Sequence, residues 1–308
     1  WAREDVAGAA AWMDKVLEEA YCRRDRTVRQ QQPSTHAHND IIYGYAMRGQ
    51  VDEAFEWLER MIQVSRRPNE ETQVLGVRGF ASAGAPADAV RWFRRLQSML
   101  SDPAFGDPKP TSVIAYNALL SAFAKARDAD RVHLWFDRML AEGVKPDSHT
   151  YSIVISADLK SNRLSAAGTV LKQMEQAGLQ PTVEIYTSFI RFYAGRTNHR
   201  RIDIAHFNGY QAIRCFRRMQ AQGLEPDVIA WTAVIQACAW HGGTKRALIT
   251  EARKLWAEML EAKVEPNEVT IRTVREALGD EAVRSVDSSA ALGGAEFFGS
   301  QGSTRTLR

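Results

Sequence analysis

Cysteine is scarce in this chain. Cys22, Cys215 and Cys238 are the only three in 308 residues. They stand far apart with no Cys-x-x-Cys pair, which supports neither a zinc site nor a disulfide framework and fits a reducing compartment. No apolar run reaches 18 residues, so no membrane span is expected. Charge of one sign is also lacking, since the formal net charge is only +3. A uniformly basic nucleic-acid binder would carry more, so any basic surface must be local. A glycine-rich phosphate loop is missing. So is the His-x-Glu with Cys-x-x-Cys signature of a zinc deaminase. The seven histidines are scattered. His36 and His38 are two apart, a spacing that suits an extended entry more than a helical metal site. No enzyme, cofactor or metal is expected.

What the chain does have is repetition. Six stretches end in nearly the same phrase: Arg67-Pro68-Asn69, Lys109-Pro110-Thr111, Lys145-Pro146-Asp147, Gln180-Pro181-Thr182, Glu225-Pro226-Asp227 and Glu265-Pro266-Asn267. Three carry a Gly-aliphatic pair just upstream: Gly143-Val144, Gly178-Leu179 and Gly223-Leu224. The prolines are 42, 36, 35, 45 and 40 residues apart, and Pro33 lies 35 residues before Pro68. A period near 35 with small insertions marks a solenoid.

After each phrase an apolar run follows, opened in four cases by an aromatic: Tyr116, Tyr151, Tyr186 and Trp231. Asp147, Thr182, Asp227 and Asn267 are the residue types that cap a new helix, because their side-chain oxygens accept orphan N–H groups. Proline cannot continue the preceding helix. A second stripe ends in methionine, as Leu58/Met61, Leu96/Met99, Phe136/Met139, Leu171/Met174, Phe216/Met219 and Trp256/Met259. Each pair is spaced i, i+3, on one helical face. Gly49, Gly84 and Gly242-Gly243 break the chain between stripes. The predicted unit is a helical hairpin whose apolar face is buried only by stacking on its neighbours. Trp57, Trp92, Trp135 and Trp256 are expected in that core with the methionines.

The predicted units are a partial repeat over 1–34, repeats at 35–69, 70–112, 113–147, 148–182, 183–227 and 228–267, a terminal half repeat at 268–284, and a Ser/Gly-rich tail at 285–308 containing Phe297-Phe298. The tail reads as flexible by composition. The chain opens on Trp1, and its first segment reads as a second helix without its partner. A targeting peptide or further repeats upstream are therefore expected.

The aromatic-polar helix start, the Leu/Phe-x-x-Met second helix and the Gly-aliphatic-x-Pro-Asp/Asn ending resemble the pentatricopeptide repeat, in its plain P class. The resemblance covers about residues 9–284. It is strongest in the units starting at Val113, Val183 and Val228 and weakest at Glu70. Tetratricopeptide repeats have a Trp…Leu-Gly…Tyr pattern that this chain lacks. The resemblance implies an all-α right-handed superhelical solenoid that binds single-stranded RNA in a chloroplast or mitochondrion, as an adaptor in RNA processing, stability or translation.

In the family one repeat reads one base through its fifth and last residues, while the second residue sandwiches the base. Carried over, Asn39 with Asn69 implies a pyrimidine, and Val74 with Thr111 offers no polar fifth residue. Asn117 with Asp147 implies U, Ser152 with Thr182 is ambiguous, Thr187 with Asp227 implies G, and Thr232 with Asn267 implies A. The resulting phrase is 5′-Y-N-U-N-G-A-3′. A short polar side chain at a helix start can bond a splayed base edge. The sandwich positions are His36, Glu71, Ile114, His149, Glu184 and Ile229. Only Ile114 and Ile229 are the aliphatics the family favours. Glu71 and Glu184 would set carboxylates beside a polyanion.

Lys125 and Lys160 occupy equivalent places and could meet phosphates, with Arg48 and Arg196 one residue further along in their repeats. The densest basic stretch runs from Arg191 to Arg218 and includes a long insertion, which could grip an RNA backbone or an acidic partner. The carboxylates at sandwich positions and the modest net charge keep a second reading open. On it the repeats form a non-catalytic scaffold, binding protein subunits of a large organellar complex such as a ribosome or membrane assembly.

Overall fold

The computed structural model describes residues 5–22, 33–64, 66–102, 112–195, 202–241, 246–280 and 282. All regular structure among them is helical. The tail, Thr111, Arg196, and Gly242-Gly243 lie outside the described residues.

The chain divides into two compact units, 1–180 and 181–308. In the first unit, α1 (Val6–Cys22) precedes four hairpins. These are α2 (Thr35–Met47) with α3 (Val51–Gln63), and α4 (Glu70–Ser82) with α5 (Pro86–Ser101). Then come α6 (Val113–Lys125) with α7 (Ala129–Ala141), and α8 (Ser148–Lys160) with α9 (Leu164–Gln176). In the second unit, α10 (Val183–Ala194) pairs with α11 (Ile202–Ala221), α12 (Val228–His241) pairs with α13 (Arg246–Glu261), and α14 (Glu268–Leu278) closes the series.

Within the first unit α2, α4, α6 and α8 pack on one another in order, each also on its own second helix; α10, α12 and α14 do the same in the second unit. Each unit is thus a stack of hairpins, and the fold is an all-α repeat solenoid. A first helix inside a unit is enclosed by two neighbouring first helices, so it buries much of its surface: α6 buries seven of its thirteen residues. Second helices bury one stripe. In α3 it is Ala54, Trp57, Leu58 and Met61, with acidic residues between. All six stripe methionines are buried, as are Trp57, Trp92, Trp135 and Trp256. Leu171 is only half-buried.

The turns explain the repeated phrases. Gly143, Gly178 and Gly223 have φ near +75° and end the second helices of their hairpins. The next residue sends its N–H back to the stripe methionine: Val144 to Met139 O, Leu179 to Met174 O, Leu224 to Met219 O. This six-residue closure satisfies carbonyls that the helix end would leave orphaned. The Met-to-Gly-aliphatic spacing is therefore a helix stop. The proline follows because the chain must leave helical geometry, and Asn or Asp then caps the next helix.

His36 and His38 lie in a helix, α2, rather than in an extended entry. Two residues apart on a helix they face different ways, so His36 is exposed and His38 fully buried. His38 Nδ1 bonds Ser34 O at 3.0 Å, and its ring stands edge-on to Trp57.

Candidate nucleic-acid interface

Within each unit the expected base-reading residues belong to the junctions between consecutive hairpins. The fifth residue of one repeat sits in the second turn of its first helix. The last residue of that repeat is the N-cap of the next first helix; ahead of α6 the cap is Ser112, one residue after the Thr111 expected from the sequence.

At the α6/α8 junction the geometry is complete. Asp147 caps α8 by accepting the Thr150 N–H at 2.7 Å, while the Thr150 hydroxyl accepts the Asp147 N–H at 3.2 Å. Asn117 reaches across from α6. Its Nδ2 donates to Asp147 Oδ1 at 3.2 Å, and its Oδ1 accepts from the Thr150 hydroxyl at 2.7 Å. Partial burial pushes the Asp147 carboxyl upward. The Thr150 N–H and hydroxyl and the Asn117 amide outweigh that and hold its pKa below the usual value. The carboxylate therefore stays ionised as an acceptor, and these bonds occupy only Oδ1.

The α2/α4 junction repeats this plan with one change. Asn69 caps α4 in the same reciprocal box with Thr72, whose hydroxyl donates to Asn39 Oδ1 at 2.7 Å. Here, however, Asn39 Nδ2 donates to Glu71 at 3.1 Å, and His36 pairs with the same carboxylate at 3.4 Å. Asn39 is fully buried. Both ends of its amide are thus occupied within the protein.

At α12/α14, Thr232 donates to Val228 O at 2.7 Å and meets the Thr270 hydroxyl at 2.6 Å, while Asn267 caps α14 through the Thr270 N–H at 2.9 Å. At α10/α12 the chain has Ala230 where the others have threonine. Asp227 still accepts the Ala230 N–H at 2.7 Å, but the buried Thr187 hydroxyl has no partner. Ser152 is buried in α8, and Thr182 caps α10 through the Ile185 N–H. The two residues belong to different units.

The sandwich positions are exposed in every described repeat. Ile114 is 60 % and Ile229 52 % exposed, high for aliphatics and enough to offer a face to a base. Val269 holds the same place in α14 and is 47 % exposed. Lys125 and Lys160 sit exposed in the last turns of α6 and α8.

Models of the PPR repeat match residues 36–64, of the PPR repeat family residues 111–158, and of the pentatricopeptide repeat domain residues 214–280. The chain carries pentatricopeptide repeats over these stretches. A chloroplastic pentatricopeptide repeat-containing protein of Arabidopsis thaliana is 25 % identical over 243 residues, covering 77 % of this chain and 28 % of the relative. A mitochondrial one from the same plant is 26 % identical over 137 residues, covering 44 % and 21 %. The fold matches that of the maize repeat protein PPR10, crystallised in complex with an 18-nucleotide psaJ RNA element. That match has a TM-score of 0.57 at 22 % identity, over 86 % of this chain and 36 % of PPR10. The chain thus spans about a fifth to a third of the length of such proteins.

In this chain, sequence reasoning missed Thr72, Thr150 and Thr270. A signal for them was present: Asn69-x-x-Thr72 and Asp147-x-x-Thr150 are capping boxes with threonine in place of the usual glutamate, and Asn267-x-x-Thr270 has the same spacing. Burial pushes Cys215 up to about 11 and Cys238 up to about 12, so both are protonated at neutral pH.

Proposed function

We propose that this chain binds single-stranded RNA in a chloroplast or mitochondrion, one base per repeat, as an adaptor for RNA processing, stability or translation. The observation that carries the reading is the Asn117–Asp147 pair at 3.2 Å, in the same repeat as the exposed Ile114. It combines an amide donor, an ionised acceptor and an apolar surface, which is what a splayed base needs. The chloroplastic and mitochondrial relatives and the RNA-bound PPR10 support the organelle and the ligand.

On this reading the repeats are 35–69, 70–112, 113–147, 148–182, 183–227 and 228–267. Repeats 113–147 and 228–267 carry most of the base selection, as they alone combine an aliphatic second residue with a polar pair. Repeat 183–227 contributes Thr187 and Asp227 but sets Glu184 where the base would stack. In repeat 35–69 the Asn39 amide is consumed by Thr72 and Glu71. That repeat is better suited to a protein contact, and there the scaffold reading has its support.

The test is direct binding of the chain to fluorescent RNA carrying CAUAGA, against the same RNA with A in place of U and against duplex RNA. Preference for the single strand with U is expected. Equal binding to all three, or none, would leave the scaffold reading in its place.

A further inference from the structure

We propose that Thr150 is a positioning residue that, together with Asp147, holds the hydrogen-bonding polarity of Asn117, and that Ala230 leaves Thr187 without this control. The inference rests on the RNA reading above and adds the third residue of the following repeat to the pair that faces the base.

The argument begins with what a side-chain amide can do. Its oxygen accepts and its nitrogen donates, and the two ends can exchange by a half-turn. In Asn117 one end faces Asp147 Oδ1 and the other faces the Thr150 hydroxyl. A carboxylate only accepts, and Asp147 is held ionised, so the end facing it must be Nδ2. Oδ1 then faces Thr150, whose hydroxyl can donate to it at 2.7 Å. The hydroxyl oxygen is itself fixed by the Asp147 N–H. The hydroxyl proton has a second acceptor, Asp147 Oδ1 at 2.8 Å, but with the carboxylate facing Nδ2 the bond to Asn117 Oδ1 supports one orientation of the amide. The half-turned amide would set oxygen against carboxylate and lose the bond from Thr150. The junction therefore offers a base two groups of known polarity: the second Nδ2 hydrogen as donor, and Asp147 Oδ2 as acceptor.

Half of this arrangement stands at Asn39: the Thr72 hydroxyl donates to its Oδ1, while its Nδ2 goes to Glu71 and not to the cap Asn69. At Thr232 the Thr270 hydroxyl stands 2.6 Å from the Thr232 hydroxyl and 2.9 Å from Asn267 Oδ1, so the third residue again reaches the fifth. At Thr187 this reach is missing. Ala230 provides the N–H that Asp227 needs but no hydroxyl. The Thr187 hydroxyl is buried without a partner, so its proton can turn toward or away from a ligand. Such a group donates or accepts equally well and discriminates bases poorly.

Two measurements test this on the whole chain. The first uses synthetic single-stranded RNAs of the frame CAXAGA, with X each of the four bases. The parent is expected to prefer U. Thr150→Val keeps the shape without the hydroxyl and should lower that preference about tenfold, while affinity for the least favoured RNA stays unchanged. Thr150→Ser should restore the preference. In the frame CAUAXA, Ala230→Thr should sharpen selection at X about threefold or more, by supplying the hydroxyl that Thr187 lacks. The second measurement needs no RNA. The Asn117 side-chain amide protons, followed by NMR with asparagine labelling, should be separate and exchange-protected in the parent and in Thr150→Ser, and released in Thr150→Val. Protons protected in the parent and released in Thr150→Val, together with a parent that shows no base preference, would overturn the RNA reading and leave the positioning role standing; protons already released in the parent would overturn the positioning role. Unchanged protons, or an unchanged U preference in Thr150→Val, would overturn the positioning role. If Thr150→Val does not fold, Ala230→Thr decides: no change in selection at X overturns it.

Discussion

Phe136 lies in α7 with 2 % of its surface exposed and its ring edge-on to Tyr151 at 5.7 Å. Tyr151 belongs to the next hairpin, so this contact is one of the joints by which neighbours stack. Truncation would remove apolar area and leave a cavity that two packed helices cannot close. Phe136→Ala should therefore cost about 3–5 kcal/mol, read as a lower urea midpoint of the first unit. A midpoint equal to the parent's would mean the hairpins do not depend on this joint. The neighbouring polar contacts are of a different kind. Glu142 accepts from Tyr116, Arg138 and Gln97, three residues on three helices. Burial and the Glu142 carboxylate push the Tyr116 hydroxyl well above its ordinary pKa, so it remains a donor throughout the usual pH range. In the divergent repeat the joint is made by absence of a side chain. A Cβ on Gly79 would stand 2.5 Å from the Ala46 Cβ, so only glycine lets α4 approach α2 this closely.

At the scale of the element, the helix stops are the most regular feature. Gly143, Gly178 and Gly223 take φ near +75°, and Lys263 takes φ 55° at the corresponding point after α13. The hydrogen bonds there are the same: Lys263 N–H to Leu260 O and Val264 N–H to Met259 O. A side chain with a Cβ is strained in this left-handed region by about 1–2 kcal/mol, and glycine is not. Lys263→Gly should therefore raise the stability of the second unit by about 1 kcal/mol, measured by thermal or urea unfolding. The loss of conformational restraint in the unfolded chain takes back part of the gain. A drop in stability would show that the Lys263 side chain makes a contact worth more than the strain. The caps at the opposite helix ends were legible in the sequence, since Asn, Asp and Thr before an apolar run have a mechanism as well as a frequency.

For the molecule as a whole, periodicity carried the prediction. Proline phrases near 35 residues apart and methionine stripes at i, i+3 implied stacked hairpins, because neither helix could bury its apolar face alone. The site was legible only in part. Asn117 and Asp147 could be paired by their positions, but nothing at those positions alone told Asn117 from Asn39. The difference lies in Glu71, which takes the Asn39 amide by reaching across from the next helix. Long-range competition of this kind has no local sequence signal. Affinity is a separate matter from base selection and belongs to this scale. With a net charge of +3 the chain has little overall attraction for a polyanion, so phosphate binding must come from individual exposed cations. Lys125 and Lys160 end α6 and α8 in equivalent places. If each neutralises one phosphate, Lys125→Gln and Lys160→Gln should each weaken binding to every RNA by a similar factor. Each should also make the slope of log affinity against log salt shallower by about 0.7. The ratio of affinities for U and A at the Asn117 repeat should not move, because phosphate contacts position the strand without reading it. A changed ratio with an unchanged slope would place these lysines at the bases instead.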